Sequence, residues 1–172
     1  MLHLCVLKER VEYTQIILQI YDNFINDNEK LIEWIEQRNH HGITALEIAC
    51  QRDNKDNIHI IYSYYEKSEF YLKLQDGDFS NVFHRTSKKN EIYPIVYFYE
   101  KLKDSHPNQN VLNIKNKGGI IPLHYACYNG NKRVIDLLLD LGSDINAKDN
   151  DGNTPLHYAV NSSNELINFL FR

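Results

Sequence analysis

The chain has 172 residues, 42% of them apolar, and a formal net charge of −4. That length and apolar content suffice for one ordinary domain or a short repeat array, and the acidic balance argues against a nucleic-acid binder. No apolar run approaches the ~18 residues that would suggest a membrane span, and the three cysteines, at 5, 50 and 127, have no Cys-x-x-Cys spacing. Such sparse cysteines suit a reducing, cytoplasmic compartment better than a disulfide framework.

The first predicted element is a short helix over Met1-Leu2-His3-Leu4-Cys5-Val6, the pattern found again at Pro155-Leu156-His157-Tyr158-Ala159-Val160. A second helix follows, with Val11, Tyr13, Ile16, Ile17 and Ile20 apolar at helical spacing and therefore expected in the core. Asp22 to Lys30 reads as a polar insertion holding an extra helical turn, before Leu31, Ile32, Trp34 and Ile35 resume the apolar pattern. The turn Arg38-Asn39-His40-His41-Gly42 opens the next unit, where Thr44 is placed to cap a helix running through Leu46 and Cys50. Here Ala45 and Glu47 stand where proline and histidine stand in the later units. Ile58, Ile60, Ile61, Tyr64 and Tyr65 fall on its second helix.

The third unit is the least regular, with Gln75-Asp76-Gly77-Asp78 for its turn and Phe83 in the place of a leucine. Pro94 must lie in the first turn of the following helix or it would break it. Lys103 to Asn110 reads as a surface loop. The fourth unit is complete. Pro122 starts a first helix, Leu123, Ala126 and Cys127 give it an apolar face, and Gly130 ends it. Val134, Ile135, Leu137, Leu138, Leu139 and Leu141 make the second helix apolar almost all round, as a helix packed between neighbours should be. Asp149-Asn150-Asp151-Gly152 supplies a turn, and Pro155 restarts the pattern 33 residues after Pro122.

A period near 33 carrying Pro-Leu-His-Tyr-Ala resembles the ankyrin repeat family. The resemblance implies an all-α solenoid of about five helix-turn-helix repeats with β-hairpin loops, forming a single domain over 1–172. The repeats would span about 1–34, 35–72, 73–110, 111–144 and 145–172, with partial repeats at both ends. The anchors Leu2, Leu46, Phe83, Leu123 and Leu156 are separated by 44, 37, 40 and 33 residues, the excess falling in loops, where a solenoid tolerates it. Leu2, Leu4 and Val6, and at the other end Leu166, Ile167, Phe169, Leu170 and Phe171, are expected to be exposed apolar ends of a fragment of a larger protein.

Eight histidines raise the question of a metal. His3, His84, His124 and His157 take equivalent positions in different repeats, on the order of 10 Å apart at the closest, whereas zinc needs its nitrogens at ~2.0–2.1 Å. The bland reading, an imidazole bonded within the turn at each helix start, is the expected one. The cysteines fall on the small-residue face of first helices, where a thiol acts as a small apolar group. Neither a nucleophile with a base in reach nor a phosphate-binding glycine loop is evident, so no catalysis, no metal and no cofactor are expected of these residues.

What remains is a surface. Ankyrin proteins are similar in using loop tips and the exposed face of first helices as a binding groove. Onto this chain that maps His40, His41, Ile43, Gly77, Asp78, Ser80, Lys117, Ile120, Asn150, Asp151 and Asn153 at the tips. The helices contribute Gln51, Arg52, Lys88, Lys89, Tyr125, Tyr128, Asn129, Tyr158 and Asn161. Tyr125 and Tyr158 are expected to lead, each offering a rigid apolar face with a polar tip, and Asn129 to hold a peptide backbone by its amide. The plain alternative is that each tyrosine shields the stack. The expected partner is a protein or extended peptide segment, with no nucleic acid, no membrane insertion and a monomeric chain. Asn81-Val82-Phe83-His84, Tyr93 to Tyr99 and Pro122 to Tyr128 together resemble the cytosolic array of protist palmitoyltransferases of the DHHC class. That resemblance implies a substrate-recruiting array whose acyl chemistry lies in another domain. A cytosolic domain of an ion channel, or a free-standing adaptor, are the alternatives.

Overall fold

The computed structural model describes residues 1–25, 27–66, 82–89, 91–105 and 110–160. Among them are ten α-helices, one 3-10 turn and no strand. The chain divides into two compact units, Met1–Leu74 and Gln75–Arg172, which are taken separately.

The first unit holds α1 (Leu2–Leu7), α2 (Val11–Ile25), α3 (Asn28–Ile35), α4 (Ala45–Gln51) and α5 (Lys55–Glu66). Helix α1 packs on α2 and α4, α4 on α5, and α2 on both α3 and α5. Leu46, Ile58 and Ile61 lie in its core. Thr44 caps α4 as expected, in a reciprocal box: its hydroxyl accepts from Glu47 N at 3.2 Å, while Thr44 N donates to Glu47 Oε2 at 3.2 Å. Two helix ends depart from expectation. Glu9 and Asp53 sit at φ 56° and 50°, a left-handed conformation ordinarily left to glycine. Each closes its helix with a paired bond, Arg10 N donating to Cys5 O at 2.9 Å and Asn54 N to Ala49 O at 3.0 Å.

The core face of α2 is a correction. Thr14 and Leu18 are the buried residues, whereas Tyr13, Ile16 and Ile20 are 56%, 49% and 58% exposed. The helix is apolar over more of its circumference than one neighbour can cover, and packing against α1 and α5 selects the Thr14 side. Thr14 tolerates burial because its hydroxyl donates to Arg10 O at 3.1 Å. The expected insertion is largely helical: α2 runs on to Ile25, α3 begins at Asn28, and Trp34 stacks on Tyr21 at 3.7 Å. Leu2 and Val6, expected as exposed, are buried; Leu4 is 57% exposed.

The second unit holds α6 (Val82–Ser87), α7 (Tyr93–Ser105), a 3-10 turn (Val111–Asn113), α8 (Pro122–Tyr128), α9 (Lys132–Asp140) and α10 (Pro155–Val160). Helix α8 lies between α6 and α10 and carries α9 on its other side. Pro122 opens α8, and Gly130 at φ 68° closes it, with Asn131 N donating to Ala126 O at 3.0 Å. Phe83 and Leu123 fill the anchor positions in the core, and Pro94 lies at the start of α7. The turn expected at Gln75–Asp78 and the apolar end from Leu166 to Phe171 lie outside the described residues, as do 106–109 of the expected Lys103–Asn110 loop; its first three residues are not loop but the last turn of α7, which runs on to Ser105. No helix among the described residues is long and apolar enough to cross a membrane.

Candidate protein-binding surface

The surface is built on turns that share one device. Asn39, Asn116 and Asp149 each receive two backbone N–H groups on Oδ1: His41 and Ile43 at 2.9 and 3.1 Å, Gly118 and Ile120 at 3.0 and 3.0 Å, Asp151 and Asn153 at 3.0 and 2.7 Å. The loop is then shut by a backbone bond, such as Asn116 N to Ile120 O at 3.0 Å. These are the expected hairpin positions, formed as tight turns without strands among the described residues.

The same side chains fix the tyrosines. Asn116 Nδ2 donates to Tyr125 Oη at 3.3 Å, and Tyr158 Oη donates to Asp149 Oδ2 at 2.7 Å. In both cases the tyrosine comes nine residues after the turn residue. In the first unit the residue nine after Asn39 is the buried Ile48, so no such pair exists there. Burial raises the Tyr158 hydroxyl pKa first, and the Asp149 carboxylate adds to it, to about 12. Burial alone would push Asp149 up. The bonds from Tyr158, Asn153 and Asp151 outweigh it and hold the carboxyl below its usual range.

The histidines tie each repeat to the next turn. His84 Nε2 lies 2.9 Å from Ile120 O, and His124 Nε2 lies 3.2 Å from Asn153 O. His124 Nδ1 accepts from Ile121 N at 3.2 Å, so the ring is a neutral imidazole with its proton on Nε2. Burial lowers its pKa, an effect only partly offset by the Asn153 carbonyl and Asp149. His157 Nδ1 accepts from Thr154 N at 3.1 Å. At Glu47, which stands where these histidines do, the carboxylate takes over the helix-start bond.

On this frame the second unit brings together most of the expected site. Tyr128 is 57% exposed and meets Tyr158 edge to face at 6.4 Å; His124 meets Tyr158 at 5.1 Å. Lys88 Nζ sits 4.0 Å above the Tyr125 ring, a cation–π contact between residues 37 apart in the chain. Asn129 is exposed, but its Nδ2 donates to Tyr125 O at 2.8 Å, so the amide is partly engaged in closing α8. Lys117 and Asn150 meet at neighbouring tips, where Asn150 Nδ2 donates to Lys117 O at 2.7 Å and Asn150 N to Gly118 O at 3.0 Å. Asp151 is exposed beside them. In the first unit His40 and His41 lie ring to ring at 3.8 Å, Gln51 is half-buried, and Arg52 reaches Glu9 at 3.8 Å. Asn161, Gly77, Asp78 and Ser80 lie outside the described residues.

Cys50 and Cys127 are buried, Cys5 only half so. Burial pushes the Cys127 thiol up to about 12, the reverse of what a nucleophile needs. Among the described residues no cluster of three or more His, Cys, Asp or Glu could hold a metal.

The family model for ankyrin repeats, in three copies, matches residues 84–172. The chain belongs to the ankyrin repeat family. The match takes in α6 to α10, where the turn, histidine and tyrosine contacts recur from repeat to repeat. Comparison with curated proteins gave no match. Ankyrin repeats serve generally as protein–protein interaction modules, presenting an extended surface along stacked repeats.

Proposed function

We propose that the protein binds an extended segment of a partner protein on the face formed by Tyr125, Tyr128 and Tyr158. The observation that carries this is the setting of the exposed Tyr128. It rests against Tyr158, whose hydroxyl is already bound by Asp149, so the aromatic surface is rigid before any partner arrives. Pre-ordered aromatic area costs little entropy on binding and makes good anchors. Lys88 over Tyr125 adds a cation at the edge. In this reading the chain recruits and does not catalyse.

The finer proposal is a cytoplasmic substrate-recruiting array of a DHHC-class palmitoyltransferase. It is supported by the motif resemblance alone. The full-length gene separates it from its rivals: four spans with a Cys-rich loop, six spans with a pore for a channel, or no span for an adaptor. The binding face is tested by selecting ligands from a random peptide display library on the native protein and mapping them by amide chemical shifts. Shifts centred on Tyr125, Tyr128, Asn129 and Tyr158 are expected. Shifts confined to the tips at Lys117, Asn150 and Asp151, or to His40, His41, Gln51 and Arg52, would overturn the placement.

A further inference from the structure

The first helices of the second unit carry equivalent positions with different chemistry. Phe83 and Leu123 are matching anchors 40 residues apart, so Lys88 and Lys89 stand where Tyr128 and Asn129 stand one repeat later. Arg85 likewise stands where Tyr125 does. Helices α6 and α8 are packed neighbours, which sets these cations beside the aromatics on one face. Arg85 is half-buried, whereas Lys88 and Lys89 are exposed.

Neither lysine is paired with a carboxylate among the described residues. Other lysines of this unit are engaged: Lys103 lies 2.5 Å from Glu100, and Lys115 Nζ donates to Lys148 O at 2.8 Å. Lys88 is held differently, by its seat over the Tyr125 ring at 4.0 Å. That contact steadies the ammonium but gives its N–H groups no oxygen to bond. A helix C-terminus favours a cation through its dipole. This accounts for a lysine after Ser87, but not for its place on the ring of the next repeat. Beyond the tyrosines the charge reverses: Asp149 takes the Tyr158 hydroxyl at 2.7 Å, and Asp151 is exposed at the tip. The face thus grades from cationic at α6, through Tyr125 and Tyr128 on α8, to anionic at the turn before α10.

We propose that the partner segment is acidic: an Asp or Glu side chain meets Lys88 and Lys89 while an apolar side chain rests on Tyr128 and Tyr158. This rests on the tyrosine-face reading and adds a charge requirement to it. Adjacent repeats lie on the order of 10 Å apart, and an extended chain advances ~3.3 Å per residue. The acidic and apolar residues are therefore about three positions apart. Asp149 and Asp151 repel an acid at the other end, so the acidic end lies over α6. The net charge of −4 disfavours such a partner only at long range, where salt screens it. At contact the two lysines decide, and complementary charge fixes the register of the segment.

The test selects peptides on the native protein from a random dodecapeptide library displayed on phage, and maps them by amide chemical shifts. Asp or Glu should be enriched about three positions from an apolar residue, with shifts at Lys88, Lys89, Tyr128 and Tyr158. Lys88→Gln with Lys89→Gln should weaken a selected peptide about fivefold, and Lys88→Glu with Lys89→Glu about 25-fold, from the strength of two exposed ion pairs. Raising salt to about 0.5 M should bring the native affinity down to that of the Gln variant. Selected afresh, the Glu variant should enrich Lys or Arg at the same spacing. Both lysines are exposed, so the Gln variant should melt like the native chain; it decides the matter if Glu at the helix end unsettles α6. Peptides that seat on Tyr128 without an excess of acid, or that bind both lysine variants as tightly as the native chain, would overturn this inference and leave the tyrosine face standing. Peptides that seat away from Tyr128 and Tyr158, or a selection that yields none, would overturn both.

Discussion

Gly119 and Gly152 occupy the same place in successive turns, at φ 74° and 84°, but their surroundings differ. A Cβ on Gly152 meets nothing within 4 Å, whereas one on Gly119 would lie 2.5 Å from Asn150 Oδ1 and 2.7 Å from Asn150 N. Alanine at Gly152 therefore costs only the left-handed conformation, ~1–2 kcal/mol, reduced by ~0.4–1 kcal/mol because alanine restricts the unfolded chain. The net is about 1 kcal/mol. Alanine at Gly119 carries the same cost and also drives the next turn away, losing the bonds from Asn150 to Gly118 O and Lys117 O. At ~1 kcal/mol each, these bring Gly119→Ala to about 3 kcal/mol. The gap of about 2 kcal/mol corresponds to ~4–8 °C in melting temperature for a chain of this size. Denaturant unfolding of both variants, with calorimetry, measures it. Equal losses at the two glycines would show that the turns do not lock together.

Three further outcomes follow from buried groups. His124 has a folded-state pKa below its ordinary 6.5, so the unfolded chain takes up that proton first. Stability should fall as pH drops below about 6.5 and level off beneath the folded value; midpoints in denaturant between pH 7.5 and 5 should show this, with a smaller drop in His124→Gln. Asp149, held below its ordinary 3.8, adds a second loss at lower pH in the same direction. Cys127 should resist a thiol reagent in the native state at pH 8 while the half-buried Cys5 labels first; fast labelling of Cys127 would contradict its burial. Asn57 is wholly buried with neither side-chain amide atom partnered among the described residues. Asn57→Val, the residue α9 has at the equivalent place, should stabilise by ~1–2 kcal/mol, and a destabilised variant would reveal a partner for that amide.

The fourth repeat was legible because its signals are local. Pro122 and Gly130 act within a turn of where they sit, and Thr44 with Glu47 forms its cap from neighbours three residues apart. The face of α2 was not legible, since a helix apolar on two sides does not say which side its own unit covers. The same holds for Glu9 and Asp53: their left-handed backbone is imposed by the path into the next helix, against their own preference. In the candidate surface the tyrosines could be found from the repeat motif, but the state of their hydroxyls could not. That depends on Asn116 and Asp149 nine residues earlier, a spacing that gains meaning once the turn folds back on the helix. It also shifts the weight within the site. Tyr158 is engaged by Asp149, which leaves Tyr128 as the more exposed anchor.

Binding through the tyrosine face is most directly tested by calorimetric titration of a selected peptide ligand into the native protein and into Tyr128→Ala. The substitution removes a side chain that is 57% exposed, so the melting temperature should stay within about 1–2 °C, as for a surface change worth ~0.5 kcal/mol. Affinity should fall by about 30-fold, the ~2 kcal/mol of an anchor residue. Undiminished affinity in a Tyr128→Ala protein that melts like the native chain would place the binding surface elsewhere.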